Sequence, residues 1–150
     1  MPNIDLPATE IPFNQDIADG FLLNRGSAGG LHQFLGIKIT SAGPGTMTGE
    51  LTVRDELLTP FGNMHGGVLS AFCDHMLGCV CYPAMRPGQW AATTEFKINL
   101  TAPVSKGTVT ASARILNITR TQAVVQIALV NEGRLAAMAQ GTVTIRDPKK

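Results

Sequence analysis

The chain has 150 residues, 44% of them hydrophobic and 15% charged, with a net charge of +1. That length predicts a single domain with a sizeable core. So small a net charge excludes the global field that would favour nucleic acid or an anionic membrane surface. A surface so poor in charge points instead to apolar area hidden by self-association.

Residues 1–13 contain Pro2, Pro7 and Pro12 and read as an extended arm. Asp5 and Glu10 stand there without a basic-then-apolar run, which predicts a cytoplasmic protein. Asn14 to Leu23 reads as a short helix capped by Asn14, with Ile17, Ala18, Phe21 and Leu22 on one face. Gly26 through Gly30 breaks the chain. Phe34–Ser41 and Met47–Arg54 then read as strands joined across Ala42-Gly43-Pro44-Gly45. Thr59–Met64 is a loop, with Pro60 and Gly62 opposing helix.

Residues 62 to 82 read as one long apolar helix with the Gly66-Gly67 pair at its mouth. Its apolar part, Val68 to Tyr82, is too short for a bilayer and carries Asp74 and His75. After a loop from Pro83 to Gly88, apolar and polar residues alternate through four strands. These centre on Phe96–Ala102, Val109–Ile115, Ala123–Leu129 and Ala137–Ile145. The short turns between them favour an antiparallel meander. A helix apolar nearly all round has to be enclosed, so the order predicts an α+β fold in which a six-stranded sheet curls around it. The division expected is an arm and helix over 1–32 and the main domain over 33–147.

The chemistry concentrates on the long helix. A carboxylate at Asp74 in an apolar setting should have a raised pKa, which suits a general base near neutral pH. Gly66 and Gly67 lie where the first turn exposes unpaired N–H groups, able to receive an oxygen that gains negative charge. Together they suggest acyl-transfer or hydrolytic chemistry. Eight residues separate Gly66 from Asp74, about 12 Å along a helix, so one chain cannot present both to a single carbonyl. A twofold dimer with antiparallel helices would bring Gly66 of one copy to Asp74 of the other.

Each feature also has a plainer reading. Asp74 could be a satisfied interface acid, the glycines a tight turn, and His65 and His75 structural groups. Cys73, Cys79 and Cys81 are odd in number and read as buried thiols. Cys79 follows His75 by four residues, but no third or fourth metal ligand accompanies them.

Gly62-x-x-His65-Gly66-Gly67 followed by Asp74, in a helix-then-four-strand order, resembles the hotdog-fold thioesterases of the phenylacetic-acid-degradation (PaaI-like) type. The resemblance covers roughly residues 33 to 146. It implies a curved antiparallel sheet wrapped on a central helix, homodimers often paired into homotetramers, and hydrolysis of acyl-CoA thioesters with no metal or organic cofactor. It also implies that the Gly66 amide polarises the thioester carbonyl and that Asp74 acts as general base or nucleophile. Thr93 would hold the water, and His65 would fix the loop before the helix. Thr59 stands where this branch usually has asparagine, with Asn63 nearby. Substrate contacts are expected from Thr59, Phe61, Gly62, Asn63, Gly67, Val68 and Trp90, with Leu69 and Phe72 also lining the acyl channel. Arg114, Arg120 and Arg134 are candidates for the coenzyme A phosphates. The alternative is a non-catalytic binder of acyl-CoA or another amphipathic ligand, with hydratase chemistry a third reading.

Overall fold

The computed structural model describes residues 10–24 and 29–148. Pro2, Pro7 and Gly26 of the expected arm and chain break lie outside them. The first helix, α1 (Gln15–Leu22), forms as the sequence predicts, with Asn14 Oδ1 accepting from the Ile17 N–H at 3.2 Å. Of its residues only Ala18 is buried.

A second short helix, α2 (Leu31–Leu35), occupies part of the stretch expected to open a strand. Glycine punctuation explains the difference. Gly30 precedes the helix, and Gly36 ends it at φ +77°, a conformation that favours glycine. Arg54 then donates to the carbonyls of Leu35 (2.8 Å) and Phe34, holding the last turn from outside. The first strand therefore starts later, as β1 (Lys38–Gly43), followed by β2 (Thr46–Thr52).

The long helix, α3, runs Gly66–Cys79, shorter than the span expected from hydrophobicity. The chain leaves it through a 3-10 turn at Tyr82–Ala84, where Pro83 lacks the N–H that a continuing helix requires. Its buried residues are Leu69, Phe72, Cys73, Met76, Leu77 and Cys79. Four long strands follow: β3 (Trp90–Leu100), β4 (Thr108–Ile118), β5 (Gln122–Asn131) and β6 (Arg134–Arg146).

All six strands form one antiparallel sheet in the order β1-β2-β4-β5-β6-β3. The curved sheet around a central helix expected from the sequence is what forms, and α3 packs against β2 to β6. The simple meander is corrected. Of the four strands after α3 only β4, β5 and β6 are sequential neighbours, while β3 pairs with β6 and forms the far edge. The chain therefore passes β6 and β5 on its way from β3 to β4. Close approach is marked by glycine at two sheet positions. A Cβ on Gly49 would come within 2.9 Å of Met76 Sδ, and one on Gly141 within 2.5 Å of Phe96 Cβ. Among the described residues, no helix is long and apolar enough to cross a membrane.

Candidate active site

The start of α3 is built by the loop before it. Thr59 and Asn63 close a turn, with Thr59 N–H donating to the Asn63 carbonyl at 2.7 Å and the Thr59 hydroxyl to Asn63 Oδ1 at 3.3 Å. Gly62, at φ +80°, donates back to the Thr59 carbonyl at 2.9 Å. The Thr59 hydroxyl also accepts from the Phe61 N–H at 3.3 Å, so this residue shapes the turn through three of its atoms.

His65 is the N-cap of α3, and its Nδ1 accepts from the Gly67 N–H at 2.9 Å. That bond occupies the Gly67 donor and leaves the neighbouring one. Among the described residues nothing accepts from the Gly66 N–H, the first amide of the helix. Gly66 faces a cavity of about 290 Å³, shared with Asn63, Leu69 and Leu100.

Asp74 lies two turns further along. It is exposed, not enclosed as the sequence suggests, because Ser70, Asp74 and Gly78 recur at four-residue spacing on the one α3 face without a covering strand. Two cavities open on this face, of about 440 and 530 Å³, and Asp74 and Thr93 line both. A β-bulge brings the strand here. Thr93 pairs with Val143 and Glu95 with Thr142, so Thr94 is an extra residue that bends β3 beside the carboxylate. Ser70, Ala71, Thr94, Glu95 and Phe96 complete one cavity, and His75, Gly78, Cys79, Tyr82 and Ala91 the other. Sequence reasoning missed Ser70 and Gly78, although their helical spacing from Asp74 was the signal that could have found them.

The structure thus joins Asp74 with Thr93 and joins His65 with Gly66 and Gly67. It keeps the two groups apart, at the roughly 12 Å that helix geometry requires. The expected channel lining is not assembled in the single chain. Phe72 is fully buried and Leu69 nearly so. Val68 is half-buried and packs on the core. Phe61 is 91% exposed in the turn before α3, and Trp90 stands at the other end of the fold, at the start of β3. Neither lines the cavities around Asp74. The three arginines lie elsewhere as well: Arg114 donates to Gln126 at 3.4 Å, Arg120 pairs with Asp147 at 3.8 Å, and Arg134 begins β6.

Burial governs His75 and the three thiols. His75 is pushed down to about 4, first by burial and then by His32, against an opposing pull from Asp74. Its Nε2 lies 3.4 Å from Cys79 Sγ. Burial pushes the thiols of Cys73, Cys79 and Cys81 up to about 12, which makes them poor nucleophiles. Among the described residues no group of three His, Cys, Asp or Glu side chains could hold a metal ion.

Comparison with known proteins shows the family and the fold. The profile of the thioesterase superfamily matches residues 61–137, just over half of the chain. The 1,4-dihydroxy-2-naphthoyl-CoA hydrolase of Listeria monocytogenes is 27% identical over 122 residues, covering 81% of this chain and 99% of that protein. The proofreading thioesterase EntH of Cronobacter turicensis is 29% identical over 110 residues, covering 73% of this chain and 80% of its own. In fold, a thioesterase from Haemophilus influenzae superposes with a TM-score of 0.81 at 24% identity, covering 95% of this chain and 98% of that one. The E. coli PaaI protein from the phenylacetic acid degradation operon gives 0.80 at 23%, covering 89% and 96%. The chain belongs to the thioesterase superfamily, as a thioester hydrolase with the PaaI-like form of the hotdog fold.

Proposed function

We propose that the protein hydrolyses acyl-CoA thioesters at sites formed between two copies of the chain, each site taking Gly66 from one copy and Asp74 from the other. The observation that carries this reading is the pairing of an unpartnered Gly66 N–H with an accessible Asp74–Thr93 cleft too far along the same helix to serve one carbonyl. The curated relatives named as a naphthoyl-CoA hydrolase and a proofreading thioesterase support the substrate class.

In this mechanism the Asp74 carboxylate takes a proton from a water held by the Thr93 hydroxyl. The resulting hydroxide attacks the thioester carbon, and the carbonyl oxygen becomes an oxyanion facing the Gly66 N–H of the other copy. One such donor is typically worth about 3–4 kcal/mol in the transition state. Collapse expels the thiolate of coenzyme A. An ordinary thiol has a pKa of about 8.5, so the leaving group needs little help from a general acid. The reaction requires no metal or organic cofactor.

The β3 edge supports the dimer. It is eleven residues long and pairs on one side only, with β6, and an unpaired edge of that length invites a second strand. Glu95 and Lys97 flank Phe96 on this edge, so antiparallel pairing centred there would set each carboxylate opposite an ammonium.

Steady-state thiol release from a panel of acyl-CoAs, compared between the wild type and Asp74→Ala, tests the reading. Turnover in the wild type and its loss in the variant support it. Full turnover by Asp74→Ala would sink it. A wild type that binds acyl-CoA without releasing thiol would favour the non-catalytic binder, the reading that the Thr59 departure motivates.

A further inference from the structure

A cavity larger than either of those at Asp74 lies elsewhere. It has a volume of about 790 Å³ and lies between α1, α2, β1 and the His75 side of α3. Its walls are mainly apolar, from Ile17 and Phe21 of α1 and Ile37 and Ile39 leading into β1. Two of its residues, His75 and Tyr82, also line the Asp74–Thr93 cleft, so the two spaces meet across these side chains. The shared side chains make contacts of their own. His75 stacks on His32 with ring centroids 5.1 Å apart and contacts Cys79 Sγ, while Tyr82 packs against Phe21 at 5.9 Å.

Gly20 makes this cavity informative. It sits within α1, where glycine is a poor helix former, and it lines the cavity. Among the described residues a Cβ built on it meets nothing within 4 Å, and its backbone is not in the left-handed region. Neither backbone conformation nor packing against the protein calls for glycine here. What the missing side chain leaves is open space in the cavity wall.

We infer that this cavity is the acyl subsite: the apolar tail of the thioester runs from the Asp74–Thr93 cleft past His75 and Tyr82 into the space under α1, and the missing side chain at Gly20 sets how large a tail fits. The inference rests on the acyl-CoA reading above and adds to it the location of specificity. The size suits a substantial uncharged tail, since pockets of this volume enclose most of a small ligand's surface. His75, kept neutral by burial, adds no charge of its own where the tail would pass.

The test measures kcat/KM for straight-chain acyl-CoAs from acetyl to decanoyl, with the wild type, Gly20→Phe and Ile17→Ala. Filling the cavity with Gly20→Phe should lower the decanoyl-to-acetyl ratio of kcat/KM by about tenfold or more, because a lost apolar fit discriminates on that scale. Ile17→Ala enlarges the same space and should raise the ratio. Should Gly20→Phe fail to fold, Ile17→Ala decides alone. Profiles parallel to the wild type in every folded variant would overturn the subsite while leaving the hydrolase intact. A wild type inactive on the whole series and on benzoyl-CoA as well would overturn the acyl-CoA reading itself.

Discussion

His75 lies flat against His32, with ring planes 4° from parallel and centroids 5.1 Å apart. A positive charge placed on His75 would stand directly against the neighbouring imidazole. Burial, the His32 neighbour and a weaker opposing effect of Asp74 together leave His75 titrating at about 4. The unfolded chain binds that proton near the ordinary value of about 6.5. Between these values the unfolded state holds more protons, so the contribution to stability is full above about 6.5 and is lost as pH falls towards 4. The whole shift would correspond to about 3 kcal/mol; partial solvent screening at this half-buried site reduces the expectation to roughly 1–2 kcal/mol. Urea unfolding from pH 7.5 to 4.5 measures it, and His75→Gln should remove that part of the slope. Equal pH dependence in the two proteins would count against the account.

Gly66→Pro separates the amide from the fold. Proline is favoured at the first position of a helix, where its missing N–H has no intrahelical partner. His65 before it has φ −61° and ψ 133°, the extended conformation that a following proline requires. The nearest side-chain atom, Leu100 Cδ1, belongs to a half-exposed leucine free to move aside. The variant should therefore fold with a near-normal melting temperature and lose about 10²–10³ in kcat. Undiminished turnover would remove Gly66 from the proposed oxyanion site.

The bulge beside Asp74 depends on Gly141. A Cβ there would meet the Glu95 carbonyl at 2.6 Å as well as Phe96 Cβ, and backbone yields far less readily than the end of a side chain. Gly141→Ala should destabilise the protein by about 1–3 kcal/mol, read from the denaturation midpoint. It should also lower activity more than its melting temperature explains, because Thr93 to Phe96 would shift together.

The three thiols offer a further check. Cys73 and Cys81 are fully buried and Cys79 nearly so, and all three are held protonated far above neutral pH. A thiol reagent at pH 8 should modify none of them in the native protein and all three once it is unfolded. Rapid labelling of Cys79 without unfolding would show that the His75 side of α3 opens readily.

Periodicity made the architecture legible. The α3 hydrophobic run, the four alternating strands and the Asn14 cap were all visible in the residues, since each follows from local spacing. The position of β3 was not. Its alternation shows that it is a strand but not that it crosses the sheet to pair with β6, because partner choice is a long-range property. Phe34 misled for a related reason: its β propensity was overridden by glycines on either side of α2 and by Arg54, a residue nineteen positions from Leu35. At the site, the residue pattern singled out Asp74 and Gly66, whereas the exposure of Asp74 depends on where the sheet stops. Thr59 looked like a substitution in a substrate-facing position, and the structure shows the turn it builds.

The division of labour between α1 and the rest of the molecule has an evolutionary consequence. The helix contributes one buried residue, Ala18, while the continuous core is supplied by α3, the strands and their connections. Changes along α1 can therefore accumulate at little thermodynamic risk. A lineage is free to explore new ligands through this one peripheral segment while its scaffold stays under unchanged constraint.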